Sequence, residues 1–285
     1  MKVREFKLVN EKGQEYSLMD IKNTCLLTNP SGLGFQYENQ YEQLGNTFVK
    51  SISKISQTKV TGQANFLKYE NYRKLVDFIT SSEKIRISYK VPYSTGTREF
   101  FKDVSVDLLN KGDKSQNGVL SENISFTSLS LWYEQLQTVY EVGNTDSEVR
   151  WDFKWDSKFA GYDVRRLQYI NQGHVDASIQ VAINGNVQNP KIELLINNEI
   201  VQSVELNTTI EENERLLYSS KENEFYIKRV LANGTEESLL NLDTINFEND
   251  ILIRIPKNKS AEIRLRADND ITSAYLTIYA YYIAV

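Results

Sequence analysis

The stretch VDASIQVAIN, residues 175–184, places an apolar side chain at every second position from Val175 to Ile183. Successive side chains of a β-strand point to opposite faces of its sheet, so this pattern predicts a strand with one buried face. The same alternation recurs along the chain, in IRISYKV (85–91), VRWDFKW (149–155), ILIRI (251–255) and AEIRLRAD (261–268). The chain is therefore predicted to be mainly β.

One stretch has helical rather than strand periodicity. In YENYRKLVDFI, residues 69–79, apolar and aromatic side chains recur at steps of three and four. The recurring residues are Tyr69, Tyr72, Leu75, Val76 and Ile79. This spacing favours an amphipathic helix of about three turns. Because strand-like runs precede and follow this stretch, the first module is predicted to be a β-rich domain with one helix.

The second half of the chain has many short strand-like runs, turn signals between them and no helical period. This pattern is typical of a β-sandwich, since each sheet must bury its apolar face against another layer. The segment EVGNTD, residues 141–146, is polar and suits a domain boundary. We therefore predict two domains, at residues 1–142 and 143–285.

The stretch NPSGLGFQYENQY, residues 29–41, contains two nearby glycines, as loops that bind phosphate do. Such loops continue into a helix whose first N–H groups face the anion. Here Phe35 and Tyr37 alternate with polar residues, which indicates a strand instead. Pro30 presets φ, and the glycines permit the backbone conformations of a tight turn or bulge. The stretch is predicted to be a bend that leads into a strand.

Composition and charge exclude several classes of function. The chain of 285 residues has a net charge of -5 and no concentration of basic residues, unlike a non-specific nucleic-acid binder. Cys25 is the only cysteine, so no disulfide can form within the chain and folding in a reducing compartment is expected. The apolar stretch YLTIYAYYIAV, at 275–285, is too short to span a bilayer. No secretory signal is recognised, and we expect no membrane insertion.

The sequence contains no recognisable catalytic, cofactor or metal site. His174 is the only histidine and falls in the turn-like NQGH, whereas acid–base catalysis by histidine needs an orienting partner. Cys25 and His174 are too distant in sequence to give the spacing of metal ligands. Glu211, Glu212 and Glu214 lie in a polar segment, which is typical of a solvated surface. We therefore expect no enzymatic activity, no cofactor and no metal.

The tryptophans allow two interpretations. Exposed on a sandwich, Trp132, Trp151 and Trp155 would form a platform for stacking sugars. Trp151 and Trp155 alternate on one strand face with Val149 and Phe153, which favours packing in the core. Trp132 ends an alternating run and its environment stays open.

Several short motifs follow one another in a particular order. The alternating EFKLVNEKGQEYSL comes first, then NPSGLGF, then QANFLKYENYRKLVDFITSSEKIRISYKVP and FFKDVSVDLLNKGDKSQNGVLSENISFTSLSLWYE. This order resembles the N-terminal domain of the distal tail proteins of long-tailed, non-contractile bacteriophages and prophages. The matching motifs are the turn at 32–35, the step FLKYENY at 66–72 and the segment SLSLWY at 128–133. In the second half they are Gly185, Asn189, Pro190, Ile192 and Leu194.

The resemblance implies a fold and a role. The fold would be an N-terminal β-barrel-like (split barrel) domain with one α-helix, followed by a C-terminal jelly-roll-like β-sandwich. The protein would be a structural component of the virion at the tail tip, assembled in the bacterial cytoplasm. It would form a hexameric ring at the distal end of the tail tube and pass DNA through its lumen. Its partners would be the tail tube, a tail-associated hub protein and a receptor-binding protein.

A closed ring needs two different surfaces on each subunit, and unpaired strand edges of the first domain suit that role. Either the segment at residues 35–48 or the polar loop at residues 111–118 is expected to contribute, and the sequence does not choose between them. The candidate interface residues are Phe35, Tyr37, Phe48, Lys111, Asp113 and Lys114.

Other functions stay open at the level of sequence. The first is a carbohydrate-binding β-sandwich that acts in adhesion, with cell-wall carbohydrate as its ligand. The second is a cell-wall hydrolase, which would need a pair of carboxylates at one of the known separations. The third is another tail component, such as a subunit of the tube or part of a phage-derived bacteriocin.

Overall fold

A computed structural model describes most of the chain, which divides into two compact units. Unit 1 contains Met1–Glu134 and Tyr281–Val285, and unit 2 contains Gln135–Ala280. The described part consists mainly of antiparallel strands with one α-helix, so the mainly β prediction is confirmed, although the sheets are not closed into a barrel. The described residues are 4–94, 96–141, 165–241, 243–245, 250–269, 271 and 273–285.

Unit 1 contains two antiparallel sheets that share one long strand. Its strands are β1 (Glu5–Asn10), β2 (Glu15–Ser17), β3 (Leu26–Ser31), β4 (Tyr37–Leu44), β5 (Thr47–Ile55), β6 (Lys59–Phe66), β7 (Ile85–Tyr93), β8 (Gly96–Leu109), β9 (Leu120–Ser128) and the start of β10 (Trp132–Glu141). The first half of β8 continues the order β2-β1-β7-β8, and its second half continues the order β3-β6-β9-β8. Strands β4 and β5 form a separate hairpin.

The core of unit 1 lies between these sheets and the helix α1 (Tyr69–Thr80). Fully buried side chains include Phe6, Leu8, Phe66, Leu75, Ile87, Phe100, Leu120, Phe126 and Trp132. The helix contributes Leu75, and its Tyr72 ring lies edge-on to Phe66 with 5.5 Å between ring centroids. The helix predicted at residues 69–79 is therefore confirmed, with its apolar face on the core.

The stretch NPSGLGF forms a bend with an irregular register, as predicted. Asn29 and Gly32 have positive φ of 50° and 80°, and the pairing of β3 with β6 shifts between Thr28 and Ser31. A Cβ on Gly32 would lie 1.8 Å from the carbonyl oxygen of Lys59, so only glycine fits there. Strand β4 follows at Tyr37 rather than a helix, which removes the basis for a phosphate site.

Unit 2 is a sandwich of two antiparallel sheets. Its strands include β11 (Arg165–Ile170), β12 (Ala177–Asn184), β13 (Val187–Gln188), β14 (Lys191–Ile196), β15 (Glu199–Glu205), β16 (Thr209–Ile210), β17 (Arg215–Ser219), β18 (Tyr226–Val230), β19 (Glu236–Ser238), β20 (Arg254–Ile255), β21 (Ser260–Arg266) and the start of β22 (Ser273–Tyr282), with a 3-10 turn at Glu222–Glu224. One sheet has the order β19-β18-β17-β12-β22, and the other has the order β11-β21-β14-β15.

The core of unit 2 is built by alternation, as the opening stretch predicts. Ile179 and Val181 of β12 face Leu194 of β14 and Ile263 of β21 in one buried cluster. Polar side chains occupy neighbouring positions on these strands, such as Gln180, Glu262 and Arg264. The two sheets thus bury one apolar face each against the other, so the sandwich prediction is confirmed for the described strands.

Some predictions fall on residues outside the described part. The boundary between residues 142 and 143 lies there, and it stays a prediction. The run at residues 149–155 also lies there, so the core assignment of Trp151 and Trp155 stays a prediction too. No helix in the described residues is long and apolar enough to cross a bilayer.

Candidate assembly surface

Residues 37–55 form a hairpin that stands apart from the core of unit 1. Strand β4 pairs with β5 along its whole length, and among the described strands these two pair only with each other. Every side chain of β4 is exposed, and so is every side chain of β5 except Ile55. The N–H of Ser56 donates to the carbonyl of Gln36 at 2.8 Å and closes the base. The hairpin therefore contributes little to the core and presents its side chains to solvent.

The hairpin has apolar side chains on both faces. Its pairing register places Tyr37, Tyr41 and Phe48 on one face, which we name the aromatic face. The opposite face, named the aliphatic face, carries Leu44, Val49 and Ile52. Leu44 and Phe48 are each 71% exposed. Exposed apolar patches are typical of surfaces that bind another protein, so the hairpin is a candidate assembly surface.

Charges on the hairpin are distributed unequally between its faces. On the aromatic face, the Lys50 ammonium lies 5.6 Å from the centre of the Tyr37 ring. On the aliphatic face, Lys54 pairs with Glu38 at 3.1 Å. Glu42 lies on the same face opposite Val49, and within the described residues it makes no ion pair. The aliphatic face therefore carries one unpaired negative charge beside three aliphatic side chains.

The loop at residues 111–118 is attached to its own unit. Tyr69, the first residue of α1, donates a hydrogen bond to Asp113, and this bond lowers the pKa of the Asp113 carboxyl. The Lys114 ammonium donates to the carbonyl of Leu67 at 2.9 Å and lies 4.7 Å from the Tyr69 ring centre. The N–H of Gly112 donates to the buried Glu122 at 2.5 Å. These bonds hold the loop against the start of the helix, whereas the two hairpin strands pair only with each other among the described strands.

Hairpin and loop lie at opposite ends of strand β6. The hairpin ends at Ile55, just before β6 begins at Lys59. At the other end of β6, Phe66 pairs with Leu120, where the loop enters β9. Eight residues of strand separate these ends by about 23 Å, at roughly 3.3 Å per residue. The six candidate residues therefore form two groups: Phe35, Tyr37 and Phe48 in one, and Lys111, Asp113 and Lys114 in the other.

The outer face of the sheet β3-β6-β9-β8 is polar and almost uncharged. Most of its side chains carry hydroxyl or amide groups, and Leu26 and Leu108 lie on the same face, opposite Asn65 and Ser125. The polar members are Thr28, Ser31, Thr61, Gln63, Asn65, Ser105, Ser121, Asn123, Ser125 and Thr127. The Asn65 amide donates to Thr28 at 2.9 Å and accepts from Ser121 at 2.6 Å. Lys59 and Asp107 form an ion pair of 3.0 Å at one corner. We name this surface the polar face.

A family model describes this architecture. Residues 5–129 match the model "Distal tail protein, N-terminal domain". This match covers all of unit 1 from β1 to the end of β9, including the hairpin, helix and loop. The chain thus carries the N-terminal domain of the distal tail protein family. As a distal tail protein it is a structural component of the phage tail tip.

Solved structures share the fold of this distal tail protein over nearly its full length. Two are structures of the phage p2 baseplate in its activated conformation, with Sr and with Ca, at 15% and 17% identity. Each match has a TM-score of 0.69 and covers 100% of both chains. A third is the Dit (gp 19.1) protein of SPP1, with 11% identity, a TM-score of 0.56 and 98% coverage of both chains. Among curated proteins none matches significantly.

The residues considered for chemistry do not converge in this distal tail protein. His174 is exposed at a turn of unit 2, and Cys25 is buried in unit 1. The carboxylate of Glu214 accepts the N–H of Glu211 at 3.0 Å, so this acidic segment forms a local turn. The described residues contain no group of metal-ligating side chains. Trp132 is 0% exposed, which assigns it to the core rather than to a sugar platform.

Sequence reasoning missed part of the surface. The aliphatic face residues Val49 and Ile52 lie beyond the segment at residues 35–48, although they alternate with polar neighbours in TFVKSISKI. A signal for them was present in the sequence. In both strands of the hairpin, apolar side chains occur at odd and at even positions, so both faces are apolar. The polar face was also missed, although residues 59–65 and 121–127 place Ser, Thr, Asn or Gln at nearly every second position.

Proposed function

We propose that this distal tail protein assembles into a closed hexameric ring at the distal end of the tail tube, and that the β4–β5 hairpin holds neighbouring copies together. The observation that carries the proposal is a hairpin that is apolar on both faces and exposed almost throughout. Exposed apolar patches of this kind mark protein interfaces. In a heterologous contact that closes, each copy gives its hairpin to one neighbour and receives the hairpin of the other.

DNA passage through the ring is supported by the polar face. A lumen that lets DNA through must not hold it, and Lys or Arg side chains would bind phosphate strongly. The polar face offers hydroxyl and amide groups, and its Lys59 is neutralised by Asp107. We propose that this face lines the lumen, because it is a continuous surface of four paired strands in unit 1 and carries almost no unpaired charge.

Unit 2 is proposed to link the ring to the host-attachment apparatus. The solved structures with this fold are described as a baseplate and as a hub of an adsorption apparatus. We propose the tail tube and a tail-associated hub protein as partners, with receptor-binding proteins docked on the sandwich. The role is structural and needs no catalysis.

The ring is tested by the mass of the purified protein and by its images. Light scattering after size exclusion, with negative-stain electron microscopy, should show hexamers with a central hole. A variant in which an Asn-Gly turn replaces residues 38–54 should be monomeric with an unchanged circular dichroism spectrum. The matched control replaces residues 231–235, the exposed turn between β18 and β19 of unit 2, with Asn-Gly.

Two outcomes would overturn the proposal. One is a wild-type protein that stays monomeric at high concentration, both alone and with its tube and hub partners. The other is a variant without the hairpin that forms rings as stable as those of the wild type.

A further inference from the structure

The exposed apolar side chains of unit 1 are not confined to the hairpin. Leu67 and Tyr69, at the start of α1, are 39% and 42% exposed. Lys114 lies over Tyr69, and Lys111 is exposed beside them. We name these four residues the helix-start patch. It combines two apolar side chains with two ammonium groups, which is a composition suited to an apolar partner with negative charge.

The net charge of the helix-start patch follows from its two lysines and the neighbouring Asp113. Asp113 is the carboxylate of this loop, and it accepts a hydrogen bond from Tyr69. Lys114 is held by the carbonyl of Leu67, a neutral acceptor. Lys111 makes no hydrogen bond among the described residues. Asp113 keeps its negative charge beside Lys111 and Lys114, so the three groups together leave one net positive charge for a partner.

The aliphatic face of the hairpin has the complementary composition. Leu44, Val49 and Ile52 are each at least half exposed, and Glu42 lies between them without an ion pair in the described part of the chain. A head-to-tail contact needs two separate surfaces on one molecule. The hairpin and the helix-start patch meet this condition, since they lie at opposite ends of β6, about 23 Å apart by strand rise.

We propose that the aliphatic face of one copy docks on the helix-start patch of the next copy, an assignment that rests on the proposed ring. Leu44, Val49 and Ile52 pack on Leu67 and Tyr69, while Glu42 faces Lys111 and Lys114. The partner is thus a second copy of this chain, chosen by the pairing of apolar with apolar groups and of negative with positive charge. The aromatic face stays free for a different contact.

The charge pairing is tested with Glu42→Lys, Lys111→Glu and the double variant. Each single variant should raise the dissociation constant of the ring about fivefold or more, as for close charge pairs at interfaces. The double variant restores opposite charges at each contact, so its ring should regain most of the lost stability. Lys12→Glu is the matched control, because Lys12 is exposed in the turn between β1 and β2, outside both surfaces, and its reversal should leave the ring unchanged. Mass photometry over a dilution series measures all four.

The packing is tested by disulfide capture between copies. In a Cys25→Ser background, Val49→Cys with Leu67→Cys should give covalent ladders up to the hexamer on mild oxidation. Tyr41→Cys with Leu67→Cys is the matched control on the aromatic face and should give few cross-links. Disulfide capture leaves Glu42, Lys111 and Lys114 unchanged, so it tests the interface even if the charge variants fail to assemble.

The results separate the interface from the ring itself. If the wild type forms no ring, the proposed function fails and this interface fails with it. If rings form but the two charge reversals are additive, or if the aromatic-face pair cross-links as well as the aliphatic one, only the interface assignment is wrong.

Discussion

Strands β1 and β4 belong to the same unit but differ in the burial of their apolar side chains. β1 places Phe6 and Leu8 inside the core, where Leu8 is 0% exposed. β4 places Tyr41 and Leu44 in solvent, where Leu44 is 71% exposed. Both strands pair antiparallel with a neighbour. The difference is that β1 lies in a sheet whose inner face is covered, whereas β4 and β5 have only each other.

This comparison shows that a strand pattern and its burial are separate properties. Alternation tells which side chains share a face, but a covering layer decides whether that face is buried. For β1 the layer is part of the same chain. For β4 the proposed layer is another copy, so the free energy from covering Leu44 appears on assembly instead of on folding. The two strands therefore predict different responses to the same substitution.

The largest effect is expected for Leu8→Ala. Removing a fully buried leucine side chain leaves a cavity and costs about 2–5 kcal/mol of unfolding free energy. Urea denaturation followed by circular dichroism should show a lower midpoint with an unchanged slope. A loss below about 1 kcal/mol would mean that the core of unit 1 rearranges freely, and the contrast with the hairpin would then weaken.

Sequence predicted well where local pattern and local burial agree. The helix at residues 69–79 and the strand at residues 175–184 were both found, because each has one clear apolar face. The bend at residues 29–35 was found from Pro30 and Gly32. The candidate interface stays a prediction: the sequence indicated Tyr37 and Phe48 of the exposed hairpin and Phe35 just before it, but Val49 and Ile52 did not stand out.

The missed features depend on distant contacts. Nothing near Lys102 in the sequence shows that its ammonium group lies in the core. Nothing in residues 111–118 shows that Asp113 and Lys114 bind the start of the helix, since these bonds cross more than forty positions of the chain. The polar face is assembled from four strands, so its lack of charge emerges only when their pairing is known.

Lys102 is the opposite case to the hairpin. The hairpin exposes apolar side chains, whereas Lys102 of β8 buries a charged one. It is 2% exposed, donates to the hydroxyl of Thr58 at 3.2 Å and lies 4.9 Å from the Trp132 ring centre. No carboxylate of the described residues forms an ion pair with it. Burial without a counter-charge lowers the pKa of the Lys102 ammonium from 10.5 to about 8.

The pH dependence follows from the sign of this shift. Below about pH 8 the folded protein must keep a charged ammonium in its core, which costs stability. Between about pH 8 and 10.5 the folded form releases this proton before the unfolded form does, so stability rises with pH. From pH 7 to 9.5 the wild type should gain about 1–2 kcal/mol relative to Lys102→Met. Urea denaturation of both proteins at the two pH values measures this difference.

Lys102→Met should also be more stable than the wild type at pH 7, since a buried charge is replaced by an apolar chain of similar length. Lys90→Met, on the neighbouring strand β7, is the control for losing a charge in unit 1. If the unfolding free energies of the wild type and Lys102→Met change in parallel from pH 7 to 9.5, Lys102 does not titrate in this range. Its environment would then be more polar than the core around it.

The smallest effect on folding is expected for Leu44→Ala, which is the counterpart of Leu8→Ala on the hairpin. Leu44 is mostly solvated in the single chain, so its truncation should change the unfolding free energy by no more than about 0.5 kcal/mol. The same substitution should weaken the ring, because the lost apolar area is covered only in the assembly. Urea denaturation of the monomer and dilution of the ring, followed by mass photometry, separate the two quantities. A variant that is destabilised as much as Leu8→Ala would show that the hairpin packs on its own unit. A variant with unchanged folding and unchanged assembly would instead remove Leu44 from the contact between copies.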